Sequence, residues 1–412
     1  MPAPVAFDRF SRGPGECFVR SIIWPVVWAL ALAACGRQEA VDPPPRWTGG
    51  EPPPAHSSGL GELAVQELVT GLEHPWGLAF LPDGQMLVTE RPGRLRRIGN
   101  GQVSAPIGGL PRIFAEGQAG LLDVALSPGF VDDRLVYLAY AEPNLRGNKA
   151  GTAVARGRLA GDVLEEVEVV YRQQPRLSSG THVGARLVFA DDGTLFVTQG
   201  DNRVAAGMAQ QLDVLPGKLI RINPDGTVPP DNPFVGREGA RPEIWSLGHR
   251  NVQGAALHPV TRQLWASEHG PMGGDELNLV QPGANHGWPL VSRGLGYDGQ
   301  PVPGSVGFEA PGMVAPHHWW ERSPGLSGMA FYTATLIPQW RGNLLLGALA
   351  SRELIRLELD GDRIVAEERL LGERGERIRD VRQGPDGAVY LLVDAPDGKL
   401  LRIAPAAADL AR

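Results

Sequence analysis

One unit recurs along this chain and leaves few folds open to it: an apolar alternating run, a turn of the Pro-Asp-Gly kind, and a second apolar run. It occurs at 77–90 (GLAFLPDGQMLVTE), 123–140 (DVALSPGFVDDRLVYLAY), 186–201 (RLVFADDGTLFVTQGD), 254–270 (GAALHPVTRQLWASEHG), 328–349 (GMAFYTATLIPQWRGNLLLGAL) and 380–394 (DVRQGPDGAVYLLVD), six copies in all. Alternation with period two marks half-buried strands, and Gly, Pro and Asp supply the turns. Many copies are followed by a further strand-like run, such as GRLRRI (93–98), GKLIRI (217–222), ELNLV (276–280), LIRLEL (354–359) and GKLLRI (398–403). Strand, turn, strand, loop and strand, repeated every ~50 to 75 residues, is how propeller blades read in sequence. The expected fold is all-β, a six-bladed β-propeller of four-stranded antiparallel blades spanning residues 62–406. Pairing of Leu63–Val69 with the C-terminal blade should clasp the ring, since an unclasped ring leaves open strand edges. The 54 glycines and 37 prolines suit so turn-rich an architecture, and one propeller can use the whole 412-residue length.

The wider spacing between the third and fifth copies places residues 201–215 and 283–327 in loops, where binding groups usually sit. Within this region, 241–289 holds two His-centred runs, GHRN (248–251) and EHGPMGGDE (268–276), on either side of one expected strand pair. Arg250, Asn251, His269 and Asp275 then fall at strand ends. The glycines and proline around His269 let main chain approach a ligand and offer carbonyl oxygens of the kind hard cations accept. His182, in GTHVGARL just before the third copy, carries the side chain best suited to take a proton near neutral pH.

The motifs GHRNxQG, SExGPxxxDExNL and NxGWP, in this order and spacing, resemble the soluble aldose sugar dehydrogenases and quinoprotein glucose dehydrogenases. That family is a six-bladed propeller using pyrroloquinoline quinone (PQQ) and Ca²⁺, and the likeness runs over about 63–403. It implies His182 as the catalytic base, with Asp201 orienting it and holding it basic, and Arg250 stabilising charge that develops on the quinone. Gln118, Arg250, Asn251, Tyr297, Arg377 and Arg379 are implied as cofactor contacts, the last two through PQQ carboxylates; Gln118 and Asp275 are implied as substrate contacts. Gly270 and Pro271 would give main-chain oxygens to the Ca²⁺ that also binds PQQ, and Glu276 with the carbonyl of His286 would hold a second. Two departures stand out: Leu349-Ala350-Ser351 lacks a lysine the family often has, with Arg352 close by as a substitute charge, and His269 replaces a common Gln.

The only cysteines, Cys17 and Cys35, lie in the first 35 residues. Arg9, Arg12 and Arg20 precede an apolar run, 22–34, of the length of a signal-peptide core. It ends Leu-Ala-Ala-Cys, which resembles a lipobox; residues 1–34 are expected to be a lipoprotein signal peptide and 35–61 a Pro-rich tether starting at a lipidated Cys35. The chain would be exported to the periplasm and touch a membrane only through that anchor, as a monomer or homodimer. Net charge of −7 without a basic cluster argues against nucleic acid. The leading expectation is PQQ- and calcium-dependent oxidation of aldoses at the anomeric hydroxyl to lactones, with an unknown electron acceptor. The alternatives are a calcium-dependent lactone hydrolase and a non-enzymatic glycan- or partner-binding propeller.

Overall fold

The alternating runs form strands because each buries one face against the neighbouring sheet and turns where Gly or Asp permits. In a computed structural model of the chain, which describes residues 55–58 and 61–406, the strands make six antiparallel sheets, each running from the ring's inside outward. Blade 1 is Pro75–Phe80, Met86–Glu90, Arg94–Gly99 and Gln102–Val103. Blades 2 to 5 begin on inner strands Leu121–Leu126, Leu187–Phe189, Val252–Leu257 and Leu326–Phe331, each followed by three more strands. Blade 6 (Ile378–Gln383, Val389–Val393, Gly398–Pro405) is completed by Gly61–Leu72, which pairs Leu63 with Pro405 and Leu72 with Gly398. This is the expected clasp.

Ala55–Ser58, at the end of the segment read as a tether, pairs with Gly61–Leu72 as a fifth strand on that blade. The exposed edge of the clasp strand offers it a ladder of unpaired backbone groups. The signal peptide, Cys35 and the rest of the tether lie outside the described residues. Among those described, no helix is long and apolar enough to cross a membrane.

Apolar residues of facing blades fill the spaces between sheets. Trp265 and Leu277 of blade 4 meet Leu326, Phe331, Leu344 and Leu346 of blade 5, all buried. Each such side chain contributes about 1.5 to 3 kcal/mol on burial. Toward the axis the logic changes. The matching inner-strand positions are Gly77, Asp123, Arg186, Gly254, Gly328 and Asp380, three glycines and three charges. Arg186 pairs with Asp123 at 2.9 Å and Asp380 at 3.1 Å, and Arg382 with the same two acids at 3.0 and 2.9 Å. Blades 3 and 6 face each other across a ring of six, so the Arg186–Asp380 contact spans the centre. The glycines make room: a Cβ on Gly77 would stand 2.7 Å from Asp123 Oδ1, and one on Gly328 2.2 Å from Asp380 Oδ1.

Candidate active site

At one end of the ring, inner-strand ends and the loops between them surround a cleft of about 290 Å³. Gln118, His182, Arg250, Gly270, Pro271, Asp275, Tyr297, Arg377 and Arg379 all line it, so the ring brings together residues scattered over much of the sequence. Two larger depressions, about 400 Å³ between blades 3 and 4 and about 580 Å³ between blades 2 and 3, hold none of the residues singled out from sequence.

His182 stands in the left-handed region, φ 47°, on the loop entering blade 3. Its conformation is fixed from several sides. Its backbone N–H donates to Gln118 Oε1 at 2.8 Å, and Gly200 packs so closely that a Cβ there would lie 2.1 Å from the His182 carbonyl oxygen. Nδ1 lies 2.8 Å from Asp201 Oδ1. A carboxylate can only accept, so Nδ1 carries the proton and Nε2 keeps its lone pair. Asp201 is held in turn by Trp288 Nε1–H at 2.8 Å on its other oxygen and by the Arg203 N–H at 2.6 Å. Burial pushes the His182 pKa below its ordinary value; Asp201 opposes this, while the Arg250 and Arg203 charges add to it. A neutral, oriented imidazole results.

Arg250 is nearly buried and heavily committed. Its guanidinium donates to the carbonyls of His269 (3.1 Å) and Gly270 (2.6 Å), reaches Tyr297 Oη at 3.4 Å and lies 5.2 Å from the Trp288 ring centre. Its backbone N–H donates to Glu268 Oε2 at 2.6 Å, leaving only Nε buried without a partner. Tyr297 stands on the rim, 65% exposed, with Arg203 over its ring. Asn251 does not line the cleft. It is 1% exposed, accepts from Gly184 N–H and Gln253 Nε2–H, and sits 3.2 Å from His269 Nδ1, a brace beneath the floor. His269 donates from Nε2 to the Leu326 carbonyl, and burial lowers its pKa.

Asp275 lines the cleft, yet its carboxylate accepts from three backbone N–H groups, Gly270 at 2.9 Å, Gly325 at 2.8 Å and Leu326 at 3.0 Å. It therefore fixes the Gly270 turn to the start of blade 5. Arg377 and Arg379 both line the cleft. Arg377 donates to the Leu349 carbonyl (3.0 Å) and Asp394 (3.1 Å), while buried Arg379 donates to Gln253 Oε1 (2.8 Å) and lies 3.5 Å from Asp394. Burial pushes Arg379 down to about 10, with Asp394 opposing.

Glu276 and His286 lie behind the cleft wall, beside a cavity of about 10 Å³ that also touches Glu268, Gly270 and Pro271. This is room for a single water or ion. Burial, reinforced by Glu268, pushes Glu276 up to about 8, and both ring nitrogens of His286 are without a partner. Burial and the stacked His249 push His286 down to about 3. No group of three or more His, Cys, Asp or Glu among the described residues is disposed to hold a metal, so a cation here would depend on carbonyl oxygens. Gly270 lines both the cleft and the cavity, and its carbonyl, which accepts from Arg250, keeps a second lone pair.

Among the cleft residues given no role from the sequence are Trp76, Arg91 and Gln253, the last of them the Gln of GHRNxQG. Trp76 lies between two guanidiniums, 4.4 Å from Arg186 and 5.6 Å from Arg379. Gln253 bridges Arg379 and Asn251. Neither Trp76 nor Arg91 sits in a motif; only ring closure brings blade 1 to the site.

Comparison with known proteins agrees with this geometry. The family model described as glucose/sorbosone dehydrogenase matches residues 72–402. Aldose sugar dehydrogenase YliI of Escherichia coli (strain K12) is 47% identical over 345 residues, covering 83% of this chain and 92% of the relative. A solved glucose dehydrogenase is 56% identical with a TM-score of 0.80, covering 82% of this chain and 98% of that one. The PQQ-bound form of an aldose sugar dehydrogenase from Streptomyces coelicolor is 28% identical with a TM-score of 0.68, covering 85% of this chain and 99% of that one.

Proposed function

Because the chain belongs to the glucose/sorbosone dehydrogenase family, we propose that it oxidises aldose sugars at the anomeric hydroxyl to lactones, with PQQ as the oxidant and Ca²⁺ beside it. The observation that carries this reading is His182: a neutral imidazole, oriented by Asp201, with Nε2 free in a cleft that four arginines make positive.

The residues present fit a tricarboxylic quinone. Arg91, Arg250, Arg377 and Arg379 line one cleft in which Asp275, itself saturated by backbone donors, is the only acid. Arg250 Nε, buried and unpaired, marks a place where a polar acceptor belongs. When bound, the quinone supplies a two-electron acceptor for the hydride leaving the anomeric carbon; the protein supplies position and field. His182 Nε2 takes the hydroxyl proton. As the ring becomes positive, Asp201 stabilises it through Nδ1–H, and Trp288 keeps that carboxylate from turning away. Gln118, fixed by the His182 backbone, keeps its NH₂ for a sugar oxygen. Arg250 offers charge stabilisation in a site where little water competes. Gly270 and Pro271 would hold Ca²⁺ through their carbonyls, and Glu276 with the His286 carbonyl would hold a second ion, which the unbalanced burial of Glu276 favours.

The test is reconstitution. Purified protein given PQQ and Ca²⁺ should reduce a dye in an aldose-dependent way, and neither addition alone should suffice. Dye reduction without PQQ, or none with both, would sink the proposal; lactone hydrolysis with Ca²⁺ alone would install the hydrolase reading. We propose further that the chain is exported and anchored through Cys35. Mass spectrometry of the mature N-terminus should find that cysteine acylated, and an unmodified thiol on soluble protein would refute it.

A further inference from the structure

Three of the four cleft arginines have their guanidiniums tied to protein. Arg250 is held by carbonyls, Arg377 by Leu349 O and Asp394, and Arg379 by Gln253 and Asp394. Arg91 is different. Its backbone is clamped where blade 1 meets blade 2: its N–H donates to His74 O at 3.0 Å, and its carbonyl accepts from Leu121 N–H at 3.1 Å. Gly120 lets this contact form, since a Cβ there would stand 1.9 Å from Arg91 O and 2.7 Å from Arg91 Cγ. From this fixed base the side chain lines the cleft, and its guanidinium makes no hydrogen bond or ion pair among the described residues.

The acids around it are spoken for. Glu90 accepts from Arg94 at 2.7 Å, Arg96 at 3.2 Å and Glu73 N–H at 2.6 Å. Glu73 takes Arg94 at 2.6 Å, and Asp394 takes His74, Arg377 and Arg379. The cleft wall at Leu349 and Ala350 carries no charge. The Arg91 charge is felt by Glu73, but that acid is bonded to Arg94. A half-buried cation with an anchored backbone, no bonded acid and an opening before it is half of an ion pair whose other half comes from outside the protein.

We propose that Arg91 is a cofactor-binding residue, pairing with a carboxylate of the tricarboxylic quinone and forming one anion seat with Arg377 and Arg379. The proposal rests on the quinone-dependent reading above. It assigns to blade 1 the cation that the uncharged Leu349-Ala350-Ser351 segment does not offer.

The measurement is spectroscopic titration of the apo-protein with PQQ in excess Ca²⁺. Arg91→Gln should bind about 10- to 100-fold more weakly than wild type, the range for losing one charge-assisted contact. The trimethyl ester of PQQ, which has no carboxylate charge, should bind both proteins alike. Without any cofactor, benzene-1,3,5-tricarboxylate should raise the melting temperature of the wild type more than that of Arg91→Gln. Should the Gln variant fold poorly, Arg91→Met, which keeps the apolar stem, carries the same comparison. Equal PQQ affinities for variant and a wild type that does bind would overturn the assignment alone. A wild type that fails to bind PQQ would overturn the cofactor reading, and this assignment with it.

Discussion

Asp201→Asn removes one charge from the site at almost constant volume. Three donors converge on the carboxylate, His182 Nδ1–H at 2.8 Å, Trp288 Nε1–H at 2.8 Å and Arg203 N–H at 2.6 Å, so an amide NH₂ placed there must face at least one donor. A hydrogen bond to a charged group contributes about 1.5 to 3 kcal/mol against about 1 for a neutral one. The difference, about 0.5 to 2 kcal/mol, is what the His182 imidazolium loses, and at 1.36 kcal/mol per unit its pKa should fall by about one unit. The sign is fixed by the chemistry. Burial already holds His182 below its ordinary value, so the neutral base dominates at pH 7 and activity is lost as pH falls through its pKa. In Asp201→Asn the acid limb should move to lower pH, while the plateau drops at least about tenfold and, if the tautomer is also lost, toward the ~10²- to 10⁴-fold of a missing base. The assay is kcat against pH for both proteins, each saturated with PQQ and Ca²⁺. An acid limb moved to higher pH, or an unmoved limb with a wild-type plateau, would refute the role assigned to Asp201.

His182→Ala should lose ~10²- to 10⁴-fold in kcat yet show a normal cofactor spectrum, because no cofactor contact is assigned to that side chain; near-normal turnover would remove it from the mechanism. Gly328→Ala should lower stability by about 1 to 3 kcal/mol or more in denaturant titration, since the added methyl would sit 2.2 Å from Asp380 Oδ1; an unchanged midpoint would mean the axis is softer than it looks. His182, His269 and His286 all have pKa values lowered by burial, the last to about 3. Their contribution to stability is complete above the unfolded value near 6.5 and is lost as pH falls through the folded values, so the melting temperature should decline steadily below about pH 6.5. A flat profile down to pH 4 would show that these rings are solvated.

What could be read from sequence was what is local. Each hairpin carries its own turn and its own alternation, so the six units and many of the third strands were visible, and Leu63–Val69 was recognisable as a strand in need of a partner. Ala55–Ser58 was not, because a short strand inside a Pro-rich segment is defined by the edge it joins. At the site, His182, Asp201 and Arg250 stood in motifs whose spacing survives in three dimensions. Trp76 and Arg91 did not, since a side chain on blade 1 becomes a neighbour of blade 6 only when the ring closes; Gln253 stood in GHRNxQG, but its bonds to Arg379 and Asn251 also need the closed ring. Asn251 and Asp275 show the opposite effect: their motifs are close to the site, but burial commits their polar atoms to protein partners, Asp275's to backbone N–H groups and Asn251's to Gly184, Gln253 and His269. No pattern in the sequence joins Trp288 to Asp201, 87 positions away.

The ion pairs across the ring's centre back the cleft with charge. Arg186 lies against the Trp76 face and donates to the Gln253 carbonyl at 3.3 Å, so the charged lattice stands directly behind two residues of the cleft. Charged side chains paired with one another occupy the hub of this wheel. On the proposed reaction, quinone, sugar and electron acceptor would all use the open side of the cleft. Two visitors that take turns at a single entrance give parallel double-reciprocal lines when sugar and acceptor are varied together, and at high concentration each should obstruct the other.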